Sequence, residues 1–214
     1  MAYGRILDAF GPIEAVHREV DTWIAAMPED DRTAIPCKKG CAYCCYQFML
    51  VSLPETMYMI KNLIQEPQGR KWLKDHAPVF NQQVQMINGF EESKLESYRA
   101  KWFDASTPCA FLDMQTNSCV IYKTRPVICR SYFVNTSPEQ CAGPSGTRVA
   151  ILDNSRLIAK IVIASMQVAA EFKISAALFP LPLAVLWSLV GYLSGLGYMR
   201  HAIKTKGMNV SVKL

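Results

Sequence analysis

Cys37-Lys-Lys-Gly-Cys41-Ala-Tyr-Cys44-Cys45 places four thiols within nine residues, and the other four cysteines, Cys109, Cys119, Cys129 and Cys141, all follow within the middle of the 214-residue chain. Thiolates are the preferred ligands of zinc and of iron-sulfur irons, so this concentration points to a metal site. Gly40 allows the tight backbone that packs ligands around one point. An irregular, cysteine-rich centre of this kind needs regular elements around it, and the flanking sequence supplies helices.

Before the cysteine run, Ile13, Val16, Val20, Trp23, Ile24 and Met27 recur at helical spacing between Gly11-Pro12 and Pro28, and the acidic turn Pro28–Asp31 leads into the site. Behind it, Ser52-Leu53-Pro54-Glu55 reads as a capping box opening a helix with Met57, Ile60, Leu63 and Ile64 on its apolar face. Glu66-Pro67-Gln68-Gly69 breaks that helix. Trp72, Leu73, Val79, Phe80, Val84 and Ile87 predict another, and Leu95, Tyr98 and Trp102 a shorter one. From Thr107 to Gly146 periodicity fades, with residues 119–122 as a short strand. Helical character returns from Arg148 to Lys173 through Leu152, Leu157, Ile161 and Met166.

Ile174–Met199 runs 26 residues without a formal charge, ahead of the basic stretch 200–214. Taken literally it is a membrane-span candidate. Pro180 and Pro182 near its start and Gly191, Gly195 and Gly197 near its end confine the uninterrupted helix to about Leu181–Tyr192, the length of a core helix or an oligomer contact. The expected architecture is mainly α: a single domain, 1–214, with a cysteine-rich metal-binding region at 35–145 and an apolar helical region at 148–199.

Met1–Pro28 carries charges throughout and lacks the unbroken apolar core of an export signal. The expectation is a reducing, cytoplasmic setting in which clustered cysteines act as ligands rather than bridges. The net charge of +5 is too small to indicate nucleic acid. Lys38, Lys39, Lys123, Arg125, Arg130 and Arg148 lie close in sequence to cysteines and would offset an anionic metal centre.

The chemistry leaves the metal open. The first run has zinc-like pairs, whereas the later cysteines are nine to eleven residues apart. Side chains of neighbours such as Cys44 and Cys45 diverge along a helix or strand, so one tetrahedral ion seldom takes both. Two adjacent centres, a polynuclear cluster, or one ligand beside a free thiol are the alternatives, and a four-iron cluster accepts widely spaced ligands. Cys37-x3-Cys41-x2-Cys44 also imitates the cluster loop of radical SAM enzymes, but no alternation of strands and helices follows it.

These residues resemble a known family. Cys37-x3-Cys41-x2-Cys44-Cys45, Cys109-Ala-Phe-Leu and Cys119-Val-Ile-Tyr-Lys-Thr-Arg125-Pro126-Val-Ile-Cys129-Arg130 closely resemble the YkgJ-type cysteine-cluster proteins over about Ile35–Cys141. The resemblance implies chelation of zinc or iron. Flagellin lysine N-methylases, much longer chains, carry a similar signature associated with an iron-sulfur cluster, so a cluster-dependent redox or methyl-transfer enzyme is the alternative function, and membrane-associated metal handling a further one.

All eight cysteines are therefore the expected ligands of zinc or an iron-sulfur cluster, [4Fe-4S] above other types. Arg125 and Arg130 flank Cys129 and are expected to contact thiolates or an anion, with a structural ion pair as the alternative. Tyr43, Tyr46, Phe111, Tyr122, Tyr132 and Phe133 would shield the centre from water. His17, His76 and His201 read as packing residues, and no catalytic base or nucleophile pattern is recognisable.

Overall fold

The computed structural model describes residues 9–38, 40–87, 90–142 and 153–206, and the fold is mainly α. Lys39, Arg148, the expected helical start at 148–152 and the end of the basic stretch, 207–214, lie outside the described residues. The first helix, α1 (Gly11–Ala25), takes Pro12 in its first turn, where a missing N–H costs nothing, and buries Ile13, Val16, His17 and Val20. A short acidic helix, α2 (Glu29–Ala34), replaces the expected turn and delivers the chain to Cys37.

The cysteine run is followed by a three-residue strand, β1 (Leu50–Ser52), and then by α3 (Leu53–Gln65). The Ser52 hydroxyl accepts the Glu55 N–H at 3.2 Å, so the predicted cap is present. The return half of the box is absent because the Glu55 carboxylate is drawn elsewhere, into the site. The break after α3 is confined to Glu66: Pro67 opens α4 (Pro67–Asp75) at once, and α5 (Ala77–Met86) and α6 (Leu95–Asp104) follow. The single helix expected across Trp72–Ile87 is therefore two, joined at His76, whose ring stacks on Trp72 at 3.6 Å. Gly69 belongs to α4, pressed against α3.

A two-residue hairpin, β2 (Leu112–Asp113) with β3 (Ser118–Cys119), and a one-turn helix, α7 (Val127–Arg130), carry the later cysteines. The strand expected at 119–122 ends at Cys119. Beyond it the chain tightens into a 3-10 turn at Tyr122–Thr124, ahead of Pro126. The long helix α8 (Ser155–Phe172) packs on α1 and α3. Leu157, Ile161, Ala164, Val168 and Phe172 form its buried face, and Met166, expected in the core, is exposed because it falls on the opposite side.

Residues Leu178–Pro180 form β4, antiparallel to β1 with Leu50 opposite Pro180 and Ser52 opposite Leu178. The Leu181 N–H then donates to Met49 O at 2.9 Å. The last helix, α9, runs from Leu181 to Lys206, well past Tyr192. Glycine inside a helix costs about 1 kcal/mol against alanine and does not end it when packing compensates. At Gly191 the compensation is visible, since a Cβ there would lie 2.9 Å from the Met199 sulfur, itself fully buried. Every residue from Leu181 to Gly191 is buried, with Trp187 at the centre, and the Tyr192 hydroxyl donates to Met57 O on α3 at 2.8 Å. Among the described residues no helix is long and apolar enough to cross a membrane.

The main apolar cluster joins Phe10, Ile13 and Val20 of the N-terminal segment to Leu53 and Met57 of α3, Ile161 and Val168 of α8, and Leu183 and Trp187 of α9. A second cluster links α3, α4 and α5 to Phe111, Ile121 and the opposite face of α9, which carries Leu181, Ala184, Val185 and Leu189. Helices from both ends of the chain therefore enclose its middle.

Gly69 gives a direct test of this packing. A Cβ at that position would stand 2.0 Å from the Leu63 carbonyl oxygen, a backbone atom that cannot swing away. Gly69→Ala is expected to lower stability by about 2 kcal/mol or more in denaturant unfolding, although helix propensity alone predicts a gain.

Candidate metal centre

Burial and local hydrogen bonds place the first four cysteines. Cys41 N–H donates to Lys38 O at 2.9 Å, closing a turn through Gly40, whose φ of +92° favours glycine. Residues Tyr43–Tyr46 then form one 3-10 turn, with Cys45 N–H to Ala42 O at 2.9 Å and Gln47 N–H to Cys44 O at 3.1 Å. This tight turn corrects the expected divergence of Cys44 and Cys45: their thiols hydrogen-bond to each other and border the same hollow. Phe48, just behind, is buried edge-on against Trp102 and anchors the run in the core.

Cys109 is pinned from several directions. Its N–H donates to Cys45 O at 2.8 Å, the Gln83 side chain of α5 donates to Pro108 O at 2.7 Å, and the Trp72 indole of α4 donates to Ala110 O at 3.1 Å. The hairpin brings Cys119 opposite Leu112. Its turn is closed by Asp113, whose carboxylate accepts from Gln115 N–H and the Thr116 hydroxyl, and by Asn117 at φ +49°. The nine residues between Cys109 and Cys119, which looked too long for a ligand pair, are thus a folded-back spacer.

The Arg125-Pro126-Val-Ile-Cys129 segment is held from below. Pro126 starts α7, and the exposed first amide of that helix, Val127 N–H, donates to Glu55 Oε1 at 2.6 Å. Glu55 is only 3% exposed, and His17 Nε2 of α1 lies 3.4 Å from the same oxygen. At the other end of α7, Asn154 donates to both the carbonyl and hydroxyl oxygens of Ser131. Cys141 sits in a 3-10 turn, its carbonyl accepting from the Gln47 side chain.

The outcome is two adjoining hollows. One, of about 70 Å³, is bordered by Cys41, Cys44, Cys45, Cys109, Cys119 and Cys129, with Phe48, Phe80 and Phe111 among its apolar walls. The other, of about 40 Å³, is bordered by Cys37, Cys41, Cys44, Cys129 and Cys141, with Tyr132 and Phe133. Cys41, Cys44, Cys129 and Arg125 belong to both. All eight cysteines are free thiols and each borders at least one hollow. Among the described residues, no three His, Cys, Asp or Glu side chains stand gathered for a single ion.

Burial is the main force on these thiols. It pushes Cys119 and Cys141 up to about 11 and raises Cys37, Cys109 and Cys129 as well; Cys44 is raised first by its hydrogen bond with Cys45 and then by burial. Backbone N–H groups work the other way, favouring thiolate: Val134 at Cys37, Phe111 at Cys109 and Ile121 at Cys119. Arg125 also favours thiolate at Cys37, Cys44, Cys119 and Cys129. Its guanidinium lies 4.0 Å from the Tyr122 ring centroid, and its Nε is buried with no hydrogen-bond partner. Arg130 instead pairs with Asp21 of α1 and donates to Lys123 O. Of the expected shielding aromatics, Phe111 is fully buried, whereas Tyr43 and Tyr122 are exposed.

Soft donors in this number, with backbone N–H groups and the nearby charge of Arg125 favouring their thiolate forms, fit a metal bound as thiolate. The molecule is in class a thiol-rich metal chelator. A sequence model of the CxxCxxCC family, described as a "Putative zinc- or iron-chelating domain", matches residues 36–142, half of the chain, and the protein belongs to that family. No curated protein and no solved structure matches the chain.

Glu55 and His17 are the residues that the sequence reading missed. Glu55 was legible only as a cap, because its partner Val127 is 72 positions away. Glu55→Ala leaves a buried amide unpaired and is expected to cost about 1–3 kcal/mol and to loosen metal retention. Glu55→Gln keeps an acceptor and should retain more of both; unfolding curves and metal content of the two variants measure this.

The raised thiols give a pH dependence with a definite sign. They hold their protons near neutrality, so a metal taking thiolate ligands must release protons, and binding must weaken as pH falls. Zinc added to metal-free protein in weak buffer is expected to acidify the solution, and chelator competition should show lower affinity at about pH 6 than at about pH 8.

Proposed function

We propose that this protein carries a polynuclear thiolate centre, an iron-sulfur cluster in the larger hollow rather than a lone zinc ion. The observation that carries the reading is that Cys44, Cys109, Cys119 and Cys129 border one roughly 70 Å³ space, with Cys109 in the field of the other three. A structural zinc ion draws four sulfurs to about 2.3 Å and fills the space between them. Thiols spread around a hollow with apolar walls suit a cluster, whose inorganic sulfides occupy volume of their own. On this reading these four cysteines, one from the tight loop and three from the later segments, hold a [4Fe-4S] cluster. Cys37, Cys41 and Cys141 border the smaller hollow on the far side of Cys44 and form a secondary set, and Cys45 is a neighbouring thiol.

The same reading treats 1–214 as one unit in which region 35–145 depends on the helices of 148–199, because the β1–β4 pairing and the packing of α9 on α3 tie the two together. Free thiols of this kind suit a reducing, cytoplasmic compartment. A redox or methyl-transfer role would use the cluster as its cofactor.

Metal and acid-labile sulfide analysis of protein purified without oxygen, with a visible spectrum, tests the proposal. Iron and sulfide in near-equal amounts with a brown chromophore are expected, lost in Cys109→Ser and retained in Cys141→Ser. Colourless protein holding one or two zinc ions would overturn it.

A further inference from the structure

A third cavity lies against the cysteine hollows and differs from them in size and character. It measures about 520 Å³, within the usual range for a small-molecule site, whereas the thiol-lined spaces are far smaller. It meets the metal region along Cys37, Tyr122, Arg125, Arg130 and Phe133, which border both. On its outer side are Arg32 at the end of α2 and Lys123 of the 3-10 turn, and Arg130 and Asp21 form an ion pair in its wall.

Charge decides what could enter. Four cations border this space against one carboxylate, and that carboxylate, Asp21, is engaged by Arg130. Arg32 spends one donor on Met27 O at 3.1 Å and lies 3.6 Å from an exposed Glu29, a contact that solvent weakens. Lys123 is exposed, and among the described residues no side chain pairs with it. The Nε atoms of Arg125 and Arg130 are both buried without hydrogen-bond partners. Surplus positive charge in a partly enclosed space attracts an oxyanion. The rest of the wall, Ile24, Met27, Ile35 and Phe133, is apolar.

We propose that this cavity is a binding site for a small organic anion: a phosphate or carboxylate head held by Arg32, Lys123 and Arg125, with an apolar body against Ile24, Met27 and Phe133. A ligand seated there lies one side chain from Cys37. The site does not rest on the iron-sulfur reading, since its walls other than Cys37 come from outside the ligand set.

The test is titration of the full-length protein, as purified, with phenyl phosphate, phenylacetate and inorganic phosphate, followed by calorimetry and ligand-observed NMR. At least one of the two aromatic anions is expected to bind at millimolar concentration or below, more tightly than inorganic phosphate, and more weakly as salt is added. Preference for phenyl phosphate identifies a phosphate head, and preference for phenylacetate a carboxylate. Arg32→Gln combined with Lys123→Gln should weaken binding at least tenfold with unchanged melting temperature and metal content. Lys123→Gln alone, at an exposed side chain, provides the same reading should the double variant fold poorly. Absence of binding by both aromatic anions, or binding unchanged in these variants, would overturn the proposal. Metal content is measured in the same samples, so loss of the metal reading and loss of the anion site are separate results.

Discussion

A single buried carboxylate joins three segments of this molecule that lie far apart in sequence. Glu55 sits in the first turn of α3, accepts the leading N–H of α7 and lies beside His17 of α1. Burying a carboxylate costs several kcal/mol unless it is compensated, and here a helix N-terminus supplies both the hydrogen bond and the favourable end of the dipole. The consequence reaches the metal region directly. Cys129 lies two residues beyond Val127 on the same short helix, close enough for the Glu55 charge to act on its thiol. A four-residue helix has little stability of its own, so the position of Cys129 is set by this anchor and by the Ser131–Asn154 contact behind it.

The C-terminal segment shows the same logic in apolar form. Its long uncharged run has the composition of a span, yet Leu181–Gly191 are buried by this chain's own helices, and β4 is paired to the strand that leaves the cysteine run. Among the described residues of 174–199, Leu178 and Leu193 present exposed apolar side chains. The family match ends at residue 142, but the core does not: Trp187 and Leu183 share one apolar cluster with Leu53, Met57 and Val127. The metal region therefore has part of its support outside the segment that identifies it.

How much of this was legible follows from the range of each interaction. The apolar faces of α1 and α3, the Ser52 cap and the positive-φ Gly40 are local, and the sequence declares them through spacing and residue type. Cysteine identity declared the site, because few other roles explain eight thiols in one stretch. What stayed hidden was set by contacts across long separations. Glu55 looked like half of a capping box until Val127 competed for its carboxylate. The gap between Cys109 and Cys119 looked like separation until Asp113 and Asn117 folded it into a hairpin. Gly191 looked like a stop until Met199 packed over it.

Arg125 is where these strands of argument meet. Its guanidinium borders both cysteine hollows and the larger cavity, stacks on Tyr122, and carries a buried Nε without a partner. Arginine tolerates such a place better than lysine because its charge is delocalised, weakly hydrated and fixed across the physiological range. As the thiols around it give up protons to a metal, each adds negative charge to a low-dielectric space, where an opposing cation has its largest effect. The residue that balances the metal region on one side thus presents donors to an organic anion on the other.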